Sequence, residues 1–137
     1  MAALTFEMPT DIMNKLQQLG NSAEYAPKML EAEEDVVYPE VIRRLEPHSK
    51  GKEKTRGALK NSITKTKPKM DKNGVWRAQI IPTGTDERGV PNNRKMLALE
   101  YGTSKQLATP VFRPAKESKA SEAQEAAQNI FNEAVSK

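Results

Sequence analysis

A β-hairpin signal over residues 62–81 constrains the fold of this chain more than any other part of the sequence. Side chains alternate along a first strand that starts at Ile63, and a return strand is predicted over Val75–Ile81. The segment Asp71-Lys72-Asn73-Gly74 between them supplies an Asn-Gly turn, which suits the positive backbone angles of tight hairpins. A row of lysines and Pro68 mark the first strand as a solvent-exposed edge or an arm. The sequence therefore predicts a small antiparallel sheet built on this hairpin.

Residues 10–47 carry helical periodicity on the N-terminal side of the hairpin. A short helix is predicted from Thr10, which can cap it, to Gly20, which suits its C-terminal end. A longer helix is predicted from near Pro27, and Pro39 is expected to produce either a kink or an end followed by a restart. The apolar stripe of this second helix falls at Leu30, Val37, Val41 and Leu45.

A C-terminal helix is predicted over residues 114–135. Together these elements indicate the α+β class, with a small antiparallel sheet packed by N-terminal helices and a C-terminal helix in a single domain, 1–137. The remaining segments are predicted to be a flexible arm over 1–9, a basic loop over 48–58, and a long loop over 82–95 that leads to a short helix capped by Asn93. The apolar face of the C-terminal helix is predicted at Ala120, Ala123, Ala127, Ile130, Phe131 and Ala134.

The composition allows only a small hydrophobic core. Hydrophobic residues make up 36% of the 137 residues, and aromatic residues 5%. Two interpretations stay open: much of the chain is loop, arm or exposed helix, or part of its apolar surface is buried only against partner subunits. The sequence has no cysteine, no apolar run near the roughly 20 residues that span a bilayer, and no signal-peptide pattern at its start. We therefore expect a soluble intracellular protein that makes no contact with a membrane.

Charge is segregated along the chain. Residues 1–49 carry nine acidic and four basic side chains, whereas residues 50–95 carry thirteen basic and four acidic ones. The basic segment is either a solvated loop or a surface for an acidic partner or for DNA, which it would bind non-specifically and in a salt-dependent way. Trp76 within it is interpreted as a core anchor of the hairpin. The candidate contacts to DNA or to a partner are Lys60, Lys65, Lys67, Lys69, Lys72 and Arg77.

No residue pattern indicates catalysis, a cofactor or a metal. The single histidine, His48, lies in the basic loop, and zinc sites need several converging ligands. Residues 51–57 contain glycines and lysines but lack the order of a phosphate-binding loop. The acids of residues 31–35 do not all face one way on a helix, which favours a solvated face over a metal cluster. Glu100 lacks an accompanying nucleophile, so we expect it to accept hydrogen bonds from backbone amides of the following loop.

Residues 100–115 form the most distinctive stretch, because a glycine, two prolines and two aromatic residues there can fix the direction of the backbone. Gly102 is expected to leave the preceding helix in a left-handed conformation. Pro110 and Pro114 are expected to set the start of the last helix, and Phe112 to be its hydrophobic plug. This stretch is predicted to be architectural.

Three motifs in order, Thr55–Ile63, Leu99–Ser104 and Pro110–Ala115, resemble the neck and tail-completion proteins of tailed phages. The resemblance is to the gene-ten-product type of lambdoid phages, which is related to the minor tail protein Z of lambda. Arg56 departs from the usual pattern by separating the threonine from the glycine. The structural positions that the resemblance identifies are Gly57, Leu59, Ile63, Glu100, Tyr101, Gly102, Thr103, Pro110, Phe112 and Pro114.

The resemblance implies a structural virion protein without enzymatic activity or cofactor. Such a protein assembles in the host cytoplasm into a ring, expected to be hexameric, at the interface of head and tail. Its partners would be other copies of itself, the connector or head-completion proteins, and the tail terminator or tail tube proteins, with non-specific contact to packaged DNA as a further possibility. The alternative function from a different class is a small non-specific DNA-binding protein that uses residues 50–77.

Overall fold

The predicted hairpin is present and belongs to an antiparallel sheet of four strands. The computed structural model describes residues 2–48, 59–86 and 88–136. The strand order is β1-β4-β2, and the short strand β3 also pairs with β4. Gly74 closes the hairpin turn with a φ of 81°, and Asp71 Oδ1 accepts hydrogen bonds from two backbone amides of the turn. The strands are β1 (Leu4–Glu7), β2 (Ile63–Lys65), β3 (Lys69–Met70) and β4 (Trp76–Pro82).

The first hairpin strand is interrupted at Pro68, as its sequence predicts. Lys65 pairs with Ile80 and Lys69 pairs with Arg77, so residues 66–68 face only two residues of β4. One extra residue of this kind is a β-bulge, and a proline fits there because its nitrogen has no hydrogen to donate to the ladder. The bulge divides the edge of the sheet into β2 and β3.

The prediction of a flexible arm over residues 1–9 is wrong for the described residues 2–8. Strand β1 pairs with β4, with Leu4 opposite Ile80 and Phe6 opposite Ala78. Ala2, Leu4, Phe6 and Met8 are all buried, whereas the residues between them are more exposed. This alternation is the period of a half-buried strand. It makes β4 the central strand of the sheet, with a partner on each side.

The N-terminal helices end where the sequence predicts, but the second one starts earlier than predicted. Helix α1 is Thr10–Leu19, and its N-cap residue is Pro9 rather than Thr10. Gly20 ends it in the predicted left-handed conformation, with a φ of 75°. Helix α2 is Ser22–Leu45, followed by a 3-10 turn at Glu46–His48. Because α2 contains both Pro27 and Pro39 without interruption, the predicted start near Pro27 and the alternative of an end and restart at Pro39 are wrong.

The predicted C-terminal helix is divided into two helices, so the prediction of one continuous helix over 114–135 is wrong. Helix α3 is Asn92–Tyr101, α4 is Phe112–Ser118 and α5 is Ala120–Val135. Lys119 separates α4 from α5 with a ψ of 7°, outside the helical range. The predicted apolar face is confirmed where α5 packs on α2, since Ala123, Ala127, Phe131 and Ala134 are buried, but Ala120 is exposed.

The loop between β4 and α3 is shorter and more ordered than the predicted loop over 82–95. Helix α3 begins at Asn92, so Asn93 lies inside it instead of capping it, and its side chain accepts a hydrogen bond from the Ala2 amide. Asp86 Oδ1 accepts hydrogen bonds from the backbone amides of Arg88 and Val90 at 2.8 and 3.0 Å. A buried aspartate therefore organises this turn, in the manner of an Asx turn.

One cluster of buried apolar residues connects the sheet with the helices on either side of it in sequence. The predicted stripe of α2 is confirmed, because Leu30, Val37, Val41 and Leu45 are at most 1% exposed. Helix α2 contacts α5 most extensively and also contacts β4, and this arrangement positions α4 beside β1. Among the described helices, none is long and apolar enough to cross a membrane. The predicted basic loop lies outside the described residues except for His48.

Candidate interaction surfaces

Glu100 links helix α3 to the start of helix α4. Its Oε1 atom accepts hydrogen bonds from the backbone amides of Val111 and Phe112, the N-cap and first residue of α4. These amides have no partner within the helix, and a carboxylate at a helix N-terminus is also favoured by the helix dipole. The prediction that Glu100 bonds backbone amides of the following loop is confirmed. We call this pair of hydrogen bonds the Glu100 clamp.

Gly102 ends helix α3 in a conformation that only glycine adopts readily. Its φ is 76° and its ψ is 176°, so the predicted left-handed conformation is wrong, because the positive φ is combined with an extended ψ. A Cβ at this position would lie 2.9 Å from both the Ala108 nitrogen and the Gln106 oxygen. Both backbone angle and close approach therefore require glycine where residues 102–110 fold back.

Residues 102–109, here called the exposed loop, project apolar side chains into solvent. Leu107 is 90% exposed, and Tyr101 just before the loop is 78% exposed. The loop is nevertheless held by backbone hydrogen bonds, from Thr103 to Gln106 and from Thr109 to the Leu99 carbonyl at 2.7 Å. The sequence did not single out Leu107, although it is the one large apolar residue of 102–109, in a segment with a glycine before it and a proline after it.

The family-motif residues divide into inward and outward positions. Leu59, Ile63 and Phe112 are buried, which confirms Phe112 as a hydrophobic plug. Pro110 is half-buried before α4, and Pro114 is half-buried in its first turn. Tyr101 and Thr103 are exposed, and Gly57 lies outside the described residues. The inward set supports the core, so only the outward set is available to a partner.

Three of the six candidate basic contacts are neutralised within the subunit. Lys65 Nζ lies 2.8 Å from an Asp35 carboxylate oxygen, and Lys60 Nζ lies 2.8 Å from one of Glu46. Arg77 lies 3.2 Å from carboxylate oxygens of both Glu7 and Asp71. The Lys65 pair connects the hairpin with α2, and the Lys60 pair connects the helical turn before the hairpin with the 3-10 turn after α2. The pair between Arg77 and Glu7 joins β4 with β1. The sequence could not show this, because most of the acidic partners are distant along the chain.

The other three candidate basic contacts lie near the far end of the hairpin. Within residues 2–48, 59–86 and 88–136, Lys67, Lys69 and Lys72 make no ion pair. Met70 among them is 50% exposed. Trp76, opposite Met70, is half-buried as predicted for a hairpin anchor, and its ring packs against the core. Of the six candidate contacts, the three at this hairpin tip are therefore the ones left unpaired for phosphates or an acidic protein.

A groove of about 230 Å³ lies where α1, α2 and the last two helices meet β1. Its walls are mainly apolar, but Glu33 of α2 lines it and makes no hydrogen bond or ion pair to any described residue. Burial raises the pKa of Glu33 to about 7, an effect that nearby Lys116 partly opposes. Lys116 itself donates to the Thr5 carbonyl at 2.8 Å and lies over the Phe6 ring. We call this feature the helical groove.

Glu34 is a buried carboxyl, which contradicts the prediction of a solvated face for all the acids of residues 31–35. It is only 2% exposed, and its Oε2 atom has no hydrogen-bond partner in the part of the chain that the structure describes. Burial raises its pKa to about 7, while Lys65 opposes this rise and the charges of Asp35 and Glu31 add to it. Glu31 and Asp35 are exposed, as predicted.

Two other acids are buried and paired, and the sequence identified neither. Glu40 accepts hydrogen bonds from Arg43 and Arg44, and the Arg43 hydrogen bond is the main reason why the pKa of Glu40 falls to about 2. The hydrogen bond from Lys95 is the main cause that lowers the pKa of Asp86. In the described residues, no group of three or more histidines and acids is arranged to hold a metal ion. Glu40 and Asp86 therefore stabilise the subunit itself.

Comparison with known proteins adds no relative. No protein-family model matches the chain, and neither the curated proteins nor the solved structures contain a significant match. The resemblance to phage neck proteins therefore depends on the motif residues alone.

The Glu100 clamp predicts a stability loss that depends on the carboxylate. Glu100→Ala should lower the free energy of unfolding by about 2 kcal/mol, because two amides at the start of α4 lose their acceptor. Glu100→Gln should cost about half as much, since it keeps an acceptor oxygen but loses the charge. Urea unfolding followed by the fluorescence of Trp76 measures both. Glu117→Ala, at an exposed site of α4, is the control, and an equal loss in that variant would contradict the clamp.

Buried Glu34 predicts a stability that falls as pH rises. Its pKa of about 7 in the fold exceeds the ordinary value of 4.5, so the native state binds the proton more tightly than the unfolded state. The contribution of Glu34 to stability is then largest below pH 4.5 and decreases as pH rises to 7. Glu34→Gln should remove this contribution and leave the similar one of Glu33, whose pKa is also about 7, so the advantage of the variant over the wild type should grow by up to about 3 kcal/mol across that window.

Urea unfolding at pH values from 4.5 to 8 measures this difference. Glu24→Gln, at an exposed site of the same helix, is the matched control and should keep the wild-type profile. An identical pH slope in the wild type and in Glu34→Gln would show that Glu34 is not the group responsible.

Proposed function

We propose that this protein is a structural subunit of a tailed-phage virion that forms a ring at the interface of head and tail. The ring is hexameric and joins the connector to the tail, with head-completion, tail terminator or tail tube proteins as its neighbours. The subunit is made in the host cytoplasm and has no catalytic role. The motif resemblance suggests this family, and the surfaces of the subunit support the proposal on physical grounds.

The observation that supports this proposal most is which polar and apolar groups of residues 100–112 are bonded or buried within the subunit and which are exposed. The carboxylate of Glu100 is occupied by two backbone amides, so it is not free to act as a base. Gly102 is required by the backbone, and Phe112 is part of the core. Tyr101 and Leu107 are left exposed among the polar side chains of residues 103–109. Such a stretch is suited to contact between subunits, and it offers no reactive group.

Particles that lack this protein test the proposed role. Without the ring, electron microscopy should show filled heads and free tails that do not join, because the connecting layer is missing. Tails of abnormal length would instead indicate a role in termination. Addition of the purified wild-type chain to an extract of the deficient heads and tails should restore joined particles. Normal joined particles in its absence would refute the proposal.

Non-specific DNA binding is a second candidate, supported by the hairpin tip. Lys67, Lys69 and Lys72 carry charges that no described residue neutralises. Lysines in such an arrangement bind phosphates without reading the sequence, and salt weakens that binding. The paired state of Lys60, Lys65 and Arg77 leaves this candidate with about half of the charge that the sequence suggests.

Titration of random duplex DNA at low salt tests the second candidate. Replacement of Lys67, Lys69 and Lys72 by Gln should weaken binding at least about tenfold and flatten its dependence on salt, because each lost contact removes counterion release. Replacement of Lys15, Lys28 and Lys105 by Gln, at sites away from the hairpin, is the matched control. If the wild type does not bind at low salt, this candidate is removed.

A further inference from the structure

The exposed loop carries a lysine close to its exposed leucine, and the helical groove carries the carboxylate of Glu33 among apolar residues. The loop presents Leu107, with Lys105 two residues before it, and the groove has apolar walls with the carboxylate of Glu33 among them. We propose that the exposed loop of one copy inserts into the helical groove of a second copy, with Leu107 against the apolar walls and Lys105 beside Glu33. This inference rests on the proposed function, since it names the contact that joins neighbouring subunits of the ring.

The exposed loop is suited to insertion, because hydrogen bonds fix its backbone while the side chain of Leu107 is exposed. Hydrogen bonds close it at both ends, from Gly102 to Ala98 and from Thr109 to Leu99. A single exposed leucine on a protein surface needs no explanation by itself. A leucine that is 90% exposed on a loop already fixed in shape is different, since little conformational entropy is lost when it binds.

The groove has a volume of about 230 Å³, enough for a branched aliphatic side chain, and it contains a carboxylate that lacks a partner. Glu33 makes no hydrogen bond or ion pair to the residues that the structure describes, and Lys116 near it is already bound to the Thr5 carbonyl. A cation carried by an incoming segment would therefore complete the site. Phe6, Met29 and Val37 form the floor of the groove and are at most 5% exposed, so the apolar surface that the segment can still cover is at Ile12 and Ala120.

A neighbouring groove of about 420 Å³ is a poorer match for the same loop. Both acids that line it already have partners, because Glu117 lies 3.9 Å from Arg113 and Glu100 accepts hydrogen bonds from two backbone amides. Nucleic acid is a poor occupant of the helical groove as well, because phosphates would approach Glu33 across an apolar surface. A second copy of this chain supplies both an exposed leucine for the apolar surface and a lysine for Glu33.

A contact between two different surfaces of identical subunits is heterologous, and it produces a ring when the rotation between subunits closes. The loop and the groove are such a pair, since each copy carries one of each. This geometry leads to a specific experiment. A copy with a damaged loop and a copy with a damaged groove still form one intact junction when they are mixed.

Sedimentation velocity over a range of concentrations up to about millimolar, where even weak contacts are populated, measures the self-association of the full chain. Leu107→Asp should weaken self-association more than about tenfold, because a charge replaces the leucine that the proposed contact buries. Gln124→Arg, which adds a cation at the groove beside Lys116, should weaken it similarly. Each variant alone should remain monomeric, and an equimolar mixture should give dimers and nothing larger. Gln17→Arg on α1, outside the groove, is the matched control.

The absence of cysteine allows a second measurement, in which a disulfide traps the contact even when it is weak. Lys105→Cys and Glu33→Cys, mixed as separate proteins under mild oxidation, should form the mixed disulfide in excess over each disulfide between identical variants. Gln17→Cys in place of Glu33→Cys should not. Circular dichroism of each variant verifies that it is folded.

The outcomes separate this inference from the proposed function. A strictly monomeric wild type, unchanged association of Leu107→Asp, or a mixture that forms no dimer would overturn the loop-and-groove contact. The ring could then still form through another surface, and the particle experiment would still show unjoined heads and tails. Normal particles without the protein would refute the phage role while leaving the measured contact in place.

Discussion

Helix α2 is the element on which the other parts of the structure depend, because it contacts both α5 and the sheet. Its stripe of Leu30, Val37, Val41 and Leu45 is almost completely buried. Burial of each such side chain contributes about 1.5–3 kcal/mol, so this one face supplies a large part of the driving force available to a chain with few apolar residues. The low hydrophobic content of the sequence is thus compatible with a real core, because helix α2 packs against both α5 and the sheet. The remaining elements are positioned by their contacts with this helix.

The sequence predicted those features whose signal is local. The hairpin depends on a turn and its flanking residues, the α2 stripe on a helical repeat, and the Glu100 clamp on a carboxylate close to the amides that it binds. Strand β1 was missed although its alternation is visible, because its partner β4 is about seventy residues away and nothing local favours strand over arm. The division between α4 and α5 has no such signal, since Lys119 is an ordinary helix former, and nothing in the structure explains why the helix is interrupted there.

The candidate surfaces were predicted less well than the fold, for an electrostatic reason. A count of lysines identifies a basic segment, but it does not show which lysines have found acids. Lys65 is bound to Asp35 and also lies over the Tyr38 ring, so it fastens the hairpin to α2 instead of facing a partner. For the acids the error is the opposite one, because side chains predicted to be solvated are buried or lie at an apolar surface. Neighbouring glutamates on α2 look alike in sequence, yet Glu34 is buried beneath the surface, and Glu33 lies at an apolar groove.

Helix α4 connects the two surfaces that we assign to contact between subunits. Its first amides are bound by Glu100 at one end of the exposed loop, and its Lys116 side chain lies over Phe6 and donates to β1 at the edge of the helical groove. Loop and groove are therefore supported by one short helix, and the groove also needs β1 to be in place. A subunit can present both surfaces only after the N-terminal strand and the C-terminal region have come together. Assembly is then restricted to completely folded copies, which is a physical requirement for any ring whose neighbours must all have the same geometry.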